Sequence, residues 1–428
     1  MMTTTSSGKA GVAADAVRKR IRTLPGRFLT ESADGLAVEW ELRIGDEEFA
    51  VDVVEHTCHV REGPAVNPST VITTDPATWL SLDAGSIASI QAYLDRRLAV
   101  RGNLDLAVRL QTMFKPYRRS RRASDIQQMD LQADGLRIST YLAGTGEPLL
   151  LLHGLGASKI SWLPLMPALA ERYRLVVPDL PGHGESEKPR SDYSPRFYAR
   201  VARLLMDATG VDRAVVVGNS MGGRVGLELA LRSPKRVAGL ALLDPAMPGL
   251  RWRYVMGFTR VFPTEFGVVS FPLRRRWMEA ALRRLFGDPS RLPPGALENA
   301  AEEFIRVYSD PAARLAFLAS LRQVVTERPG PFWASMRRVR APSLVVFGDR
   351  DRLVPPRLGV RLAEQLPDAE FLVLPTVGHV PQFEATEEIL ATLLPFLDRV
   401  LDGAGRKPRR GRSAGAGQAP ARARSKAP

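Results

Sequence analysis

One serine stands where a side-chain hydroxyl could become a nucleophile. Gly218-Asn219-Ser220-Met221-Gly222 sets it between small neighbours, after Val215-Val216-Val217 and before Val225-Gly226-Leu227-Glu228-Leu229-Ala230. Three β-branched residues predict a buried strand and the later run a helix, so Ser220 falls on the strand–turn–helix bend of a nucleophile elbow. Such a bend is too sharp for side-chain bulk two residues before or after the serine, a demand that Gly218 and Gly222 meet. A hydroxyl there still needs a base to take its proton and a third group to orient that base. The chemistry implied is acyl transfer through a covalent intermediate.

The base follows by elimination. The chain has five histidines: His56 and His59 lie far upstream, and His153 and His183 sit in glycine-containing loops before the serine. Only His379, in Pro375-Thr376-Val377-Gly378-His379, follows a late apolar strand, Phe371 to Leu374. Candidate acids also end strands: Asp349 and Asp351 after Leu344 to Phe347, and Asp244 after Leu240 to Leu243. His56, Cys58 and His59 invite a metal, but positions three apart on a strand point to opposite faces, so no metal is expected there. Nor does any motif call for a cofactor.

The elements that must position these residues form a rhythm. A length of 428 suggests two or three domains, and 45% hydrophobic residues is ordinary for a globular protein. Met129 to Gln132 and Leu136 to Leu142 read as an antiparallel pair turned at Asp134-Gly135. Apolar strands at 148–152, 173–177, 215–218, 240–243, 344–347 and 371–374 then alternate with helices, the pattern of a doubly wound α/β fold with a mostly parallel sheet. Residues from about 247 to 340 break the rhythm with helices and aromatics (Trp252, Tyr254, Phe258, Phe262, Phe266, Phe271, Trp277, Phe286, Phe304, Tyr308) and read as an inserted cap. Within it Leu273, Trp277, Ala281 and Leu285 share one helical stripe beside several arginines.

Upstream, a helix is expected from Ala13, then a hairpin of 38–44 and Phe49 to Val53 turned at Gly45-Asp46, strands near 56–61 and 69–74, and helices near 76–82 and 85–96. A strand at 98–102 and a helix ending at Phe114 follow. Residues 1–12 are expected to be disordered, 116–126 to form an extended basic linker, and 402–428 a disordered basic tail. That leaves domains of 13–115 and 127–401.

Two resemblances follow from these motifs. His153-Gly154-Leu155-Gly156, Asp179-Leu180-Pro181-Gly182-His183-Gly184-Glu185-Ser186, Gly218-Asn219-Ser220-Met221-Gly222, Gly348-Asp349-Arg350-Asp351 and Gly378-His379 occur in the order of α/β-hydrolase fold serine hydrolases, which residues 127–400 resemble. The resemblance implies Ser220 as nucleophile, His379 as general base then acid, and an oxyanion hole from the backbone N–H groups of Met221 and Leu155. It favours Asp351, three after the glycine, over Asp349, while some members carry the acid where Asp244 stands. His153 and His183 are expected to hold their loops by hydrogen bonding. Residues 13–115 resemble the sterol-carrier-protein (type 2) domain through the opening hairpin, Val71-Ile72-Thr73-Thr74, and Leu98 to Gly102 feeding the helix Leu104 to Phe114. That resemblance implies a small α+β domain binding fatty acyl chains, sterols or other lipids.

The net charge of +14 does not mark a nucleic-acid binder, because residues 115–125 and 402–428 together carry +11 of it. No specific nucleic-acid partner is expected, and at most weak contact of a basic helix with a membrane surface. One cysteine, apolar runs too short to span a bilayer and no leader-like start point to the cytoplasm. The expected reaction is hydrolysis of a carboxylic ester with an apolar or lipid-like acyl group. Two alternatives stand beside it. The elbow also resembles that of C–C hydrolases of ring-fission diketones, although those have a longer glycine/proline-rich loop than Leu155-Gly156-Ala157-Ser158. A non-catalytic lipid-binding scaffold is the other.

Overall fold

The computed structural model describes residues 5–33, 36–117, 126–248 and 274–405. Two sheets organise the chain. The first has five strands, β1 (Ala37–Ile44), β2 (Glu47–Val54), β3 (Thr57–Glu62), β4 (Thr70–Thr74) and β5 (Leu98–Gly102), in the order β3-β2-β1-β4-β5. β1 runs parallel to β4 and every other pairing is antiparallel. The first helix begins at Thr5, earlier than the composition suggests, and runs to Ile21. The helix expected near 85–96 is confined to Ser89–Leu94, because Gly85 adopts φ +67° and turns the chain before it. Cys58 points into the core of this sheet, where burial, followed by nearby Asp52, pushes its thiol up to about 12.

The second sheet has eight strands, β6 (Gln127–Ala133), β7 (Leu136–Ala143), β8 (Glu147–Leu152), β9 (Tyr173–Pro178), β10 (Ala214–Asn219), β11 (Val237–Leu243), β12 (Ser343–Gly348) and β13 (Ala369–Leu374), ordered β13-β12-β11-β10-β8-β9-β7-β6. β6, β7 and β9 pair antiparallel, and all neighbours from β9 through β8 to β13 run parallel. Asp134 and Gly135, at φ +60° and +74°, form the two-residue turn between β6 and β7. The central strand β10 is buried throughout, with Val215 and Val217 facing one apolar core and Val216 the other. The first of those cores is continuous with that of the small sheet, so Trp40, Leu42 and Val51 belong to the same packed cluster as Val217 and Phe396.

Between β11 and β12 the described cap residues form helices Arg275–Arg283, Ala296–Tyr308, Pro311–Thr326 and Pro329–Met336. The expected aromatics at 252, 254, 258, 262, 266 and 271 lie outside the described residues, as do most of the linker and the tail beyond 405. The last helix, Thr386–Gly405, extends past Leu401. Among the described residues no helix is long and apolar enough to cross a membrane.

Candidate active site

Ser220 is held at φ +52°, a conformation L side chains rarely take, between the end of β10 and the helix Met221–Arg232. The sheet secures it there: Ser220 N–H donates to the Leu243 carbonyl at 3.0 Å, and the Ser220 carbonyl accepts from Ala246 N–H at 2.8 Å. A Cβ on Gly222 would run into the Leu152 carbonyl, and one on Gly218 into the Gly222 backbone. The sequence's demand for small neighbours is thus a steric one.

His379 Nε2 lies 2.9 Å from Ser220 Oγ, and His379 Nδ1 lies 2.7 Å from Asp351 Oδ2. With Nδ1–H donated to the carboxylate, Nε2 is left as the acceptor facing the serine hydroxyl. Asp351 is itself fixed, since Oδ1 accepts the N–H groups of Leu353 at 2.7 Å and Val354 at 2.9 Å. Burial would raise its pKa, but the His379 ring beside it and these hydrogen bonds outweigh burial and hold the carboxyl below its ordinary range.

Asp244, on the neighbouring strand end, accepts Gly348 N–H at 3.1 Å, and its carboxyl shares a hydrogen bond with that of Asp351. Burial, then the charge of Asp351, pushes its carboxyl well above the ordinary range. Asp349 is exposed and braces its loop through its backbone N–H, which donates to the Leu374 carbonyl at 3.0 Å. Of the three candidate acids, Asp351 is the one hydrogen-bonded to His379. Among the described residues, Asp244, Asp351 and His379 are also the one group with metal-ligand spacing, and two of its members already bond each other.

Met221 opens its helix, so its N–H lies in the first turn, where no intrahelical carbonyl can accept it. Met221 and Leu155 line the same cavity as Ser220 and His379. The loop before Leu155 is pinned by His153, whose Nδ1 meets the Gly154 carbonyl at 2.8 Å and whose Nε2 accepts Leu180 N–H at 2.9 Å. His183 lies between the hydroxyls of Tyr308 at 2.8 Å and Tyr198 at 3.1 Å, tying its loop to the cap. Burial, before other influences, lowers the pKa of both rings, which suits neutral structural histidines.

Three positioning groups were given no role by the sequence. Glu384 accepts the N–H groups of Gly378 at 2.8 Å, Gly287 at 3.1 Å and Asp288, joining the histidine loop to the cap. Asn219 Nδ2 donates to the carbonyls of Leu243 at 3.1 Å and His379 at 3.0 Å, linking elbow and histidine loop directly. Lys159 is fully buried on Asp179 at 2.8 Å. Only a carboxylate soon after the histidine, or an amide beside the serine, could have signalled the first two.

The relay opens into a cavity of about 590 Å³. Its walls are mainly apolar, with Met278, Leu282, Phe304, Val307, Phe317 and Leu321 from the cap opposite Leu155 and Val354. Of the expected stripe, Ala281 and Leu285 line the cavity and Trp277 does not. Met278 and Leu282, one residue on, face the cavity, while Trp277 is 63% exposed. Leu273 lies outside the described residues. A second cavity, about 260 Å³, sits inside the small domain among Leu24, Ile72, Trp79, Leu82, Leu98 and Phe114.

Comparison with known proteins fits both halves of the chain. Residues 147–386 match the alpha/beta hydrolase fold family, and residues 27–115 the SCP-2 sterol transfer family. A dihydrolipoyllysine-residue acetyltransferase component of an acetoin cleaving system from Pseudomonas putida is 33% identical over 264 residues, 59% of this chain and 64% of that one. A 2-hydroxy-6-oxononadienedioate/2-hydroxy-6-oxononatrienedioate hydrolase from Paraburkholderia phymatum is 32% identical over 275 residues, 61% of this chain and 91% of that one. Among solved structures, a bacterial membrane phospholipase A superposes with a TM-score of 0.56 at 28% identity, covering 65% of this chain and 88% of its own.

Proposed function

The chain belongs to the alpha/beta hydrolase fold family, and from that premise we propose that it is a serine hydrolase cleaving carboxylic esters of apolar, lipid-like acyl groups. The observation that carries this reading is the continuous relay from Asp351 through His379 to Ser220, at 2.7 and 2.9 Å, opening into a cavity with apolar walls.

In the reaction, Ser220 Oγ attacks the ester carbonyl while His379 Nε2 takes its proton. The oxyanion is met by the N–H groups of Met221 and Leu155, one such donor typically contributing ~10²–10³ in rate. Collapse expels the alcohol, which carries away the proton from His379, and leaves the acyl group on Ser220. Water, deprotonated by His379, then attacks the acyl-enzyme, and the acid departs as Ser220 regains its proton. Asp351 stays ionised and stabilises the imidazolium in both halves. The reaction needs neither a metal nor an organic cofactor.

The small domain matching the sterol transfer family supports a lipid-like substrate, and its own 260 Å³ cavity supports apolar binding there. The lone cysteine supports a reducing, cytoplasmic setting. Exposed Trp277, beside Arg274, supports weak contact with an anionic lipid surface.

The test is turnover of p-nitrophenyl esters of graded chain length, beside labelling by a fluorophosphonate. Ser220→Ala should abolish both; unchanged turnover would remove Ser220 as the nucleophile. A second reading, hydrolysis of a C–C bond in a ring-fission diketone, is favoured by the relative from Paraburkholderia. Faster Ser220-dependent turnover of such a diketone than of any ester would replace the first.

A further inference from the structure

The small domain closes the cavity that holds Ser220. Tyr93, from helix Ser89–Leu94, and Leu104, which opens helix Leu104–Thr112, line the same 590 Å³ space as Ser220 and His379. Both are buried, at 3% and 8% exposure, so they form a wall and not a rim.

The wall is fastened to the cap. Asn299, on helix Ala296–Tyr308, donates a 2.8 Å hydrogen bond to the Val100 carbonyl of β5 and lies beside the Tyr93 hydroxyl. An ion group fastens the domain to the large sheet as well, with buried Lys159 4.0 Å from buried Asp105 and half-buried Arg109 3.9 Å from Glu185. Ile90, one turn from Tyr93, faces the 260 Å³ cavity instead, together with Leu98 and Ala107. Helix Ser89–Leu94 therefore borders both cavities. A domain built only to carry a ligand away would gain nothing by burying two of its side chains in the reaction chamber of its neighbour.

We propose that Tyr93 and Leu104 are specificity-determining residues for the reaction at Ser220: the carrier-like domain supplies the wall against which a long acyl chain packs, so chain-length preference is set across the domain boundary. This rests on the Ser220 ester-hydrolase reading. The carbonyl of any ester must sit at Ser220, Leu155 and Met221, and only a chain with further methylenes fills the remaining cavity. Each methylene buried there is worth about fourfold in kcat/KM. Narrowing or widening the wall should change the ratio of long-ester to short-ester turnover.

The experiment uses the full chain and the ratio of kcat/KM for p-nitrophenyl decanoate to that for p-nitrophenyl butyrate. Leu104→Trp should lower the ratio at least about tenfold, the worth of two buried methylenes, and Leu104→Ala should move the preferred ester to a longer chain. Because both side chains are buried, Leu104→Trp, Leu104→Ala and Tyr93→Trp are made in parallel, and labelling of Ser220 by ethyl fluorophosphonate identifies the variants whose site is intact. A ratio within twofold of the parent in labelled variants would overturn the proposal. If Ser220→Ala leaves ester turnover unchanged, the hydrolase reading falls separately. The wall is then judged by cis-parinaric acid on the full chain, where the two cavities predict two sites, one of which Leu104→Trp and Tyr93→Trp must weaken at least about tenfold; two undiminished sites overturn it.

Discussion

The carboxyl of Asp105, in the small domain, lies 4.0 Å from the ammonium of Lys159, in the large one, with both side chains about 1% exposed. Tyr141 donates its hydroxyl to Asp105, and Lys159 also meets Asp179 at 2.8 Å and Glu185 at 3.8 Å. Three carboxyls therefore converge on one buried cation. Burial, opposed by Lys159 and aided by Glu185, raises Asp105 to about 6.

A raised carboxyl gives a signed pH dependence. The folded protein holds the Asp105 proton more tightly than the unfolded chain, whose aspartates titrate near ~3.9. The stabilisation is complete below that value and is lost as pH rises through about 6. Asp105→Asn cannot titrate but keeps an acceptor for Tyr141. The stability of the parent minus that of Asp105→Asn should fall by on the order of 2 kcal/mol between pH 4 and 7 in denaturant titrations. Parallel curves would show that Asp105 does not titrate there.

The choice among acids has a kinetic signature. Asp351→Asn should lower kcat by roughly 10⁴, because an amide on His379 Nδ1 no longer fixes the productive tautomer or stabilises the imidazolium. Asp244→Asn should change kcat only a few-fold, since burial and the charge of Asp351 push its carboxyl well above the ordinary range and an amide, which can still donate to Asp351, replaces it closely. Asp349→Asn, exposed and bonded through its backbone, should do still less. Losses of similar size at 244 and 351 would assign the two carboxyls a shared role.

What the sequence made legible follows the strength of each physical signal. Runs such as Val215-Val216-Val217 and Leu344-Val345-Val346 must be buried on both faces, so the parallel sheet and the positions at its strand ends could be read directly. Gly218 and Gly222 were legible because a steric demand with one solution leaves a fixed residue. The cap helix was legible as a helix but only partly in its phase. Apolar residues at 277, 281 and 285 and at 278, 282 and 285 fit a 3.6-residue period about equally, and the cavity takes Ala281 and Leu285 from the expected stripe together with Met278 and Leu282, leaving Trp277 exposed. Neither the Asn299–Val100 bond nor the Lys159 group was visible, because each joins residues far apart in the chain through no local pattern.

Glu384 shows how a side chain absent from every motif can still govern the relay. Its two oxygens accept three backbone N–H groups: Gly378, immediately before His379, and Gly287 and Asp288 of the cap. The backbone N–H of His379 in turn donates to the Leu285 carbonyl at 2.6 Å, so the imidazole rides on a loop clamped to the cap by three hydrogen bonds. Glu384→Ala strands those donors in a site where the side chain is only 3% exposed, at a cost of about 1–3 kcal/mol for each that finds no water. The loop should then loosen and kcat should fall about 10- to 100-fold with little change in KM, as expected for a base displaced by a fraction of an ångström. Glu384→Gln, with one good acceptor left, should recover part of both stability and kcat. A variant that loses stability while kcat per folded molecule, counted by fluorophosphonate labelling, stays at the parent's level would reduce Glu384 to a structural clamp with no hold on His379.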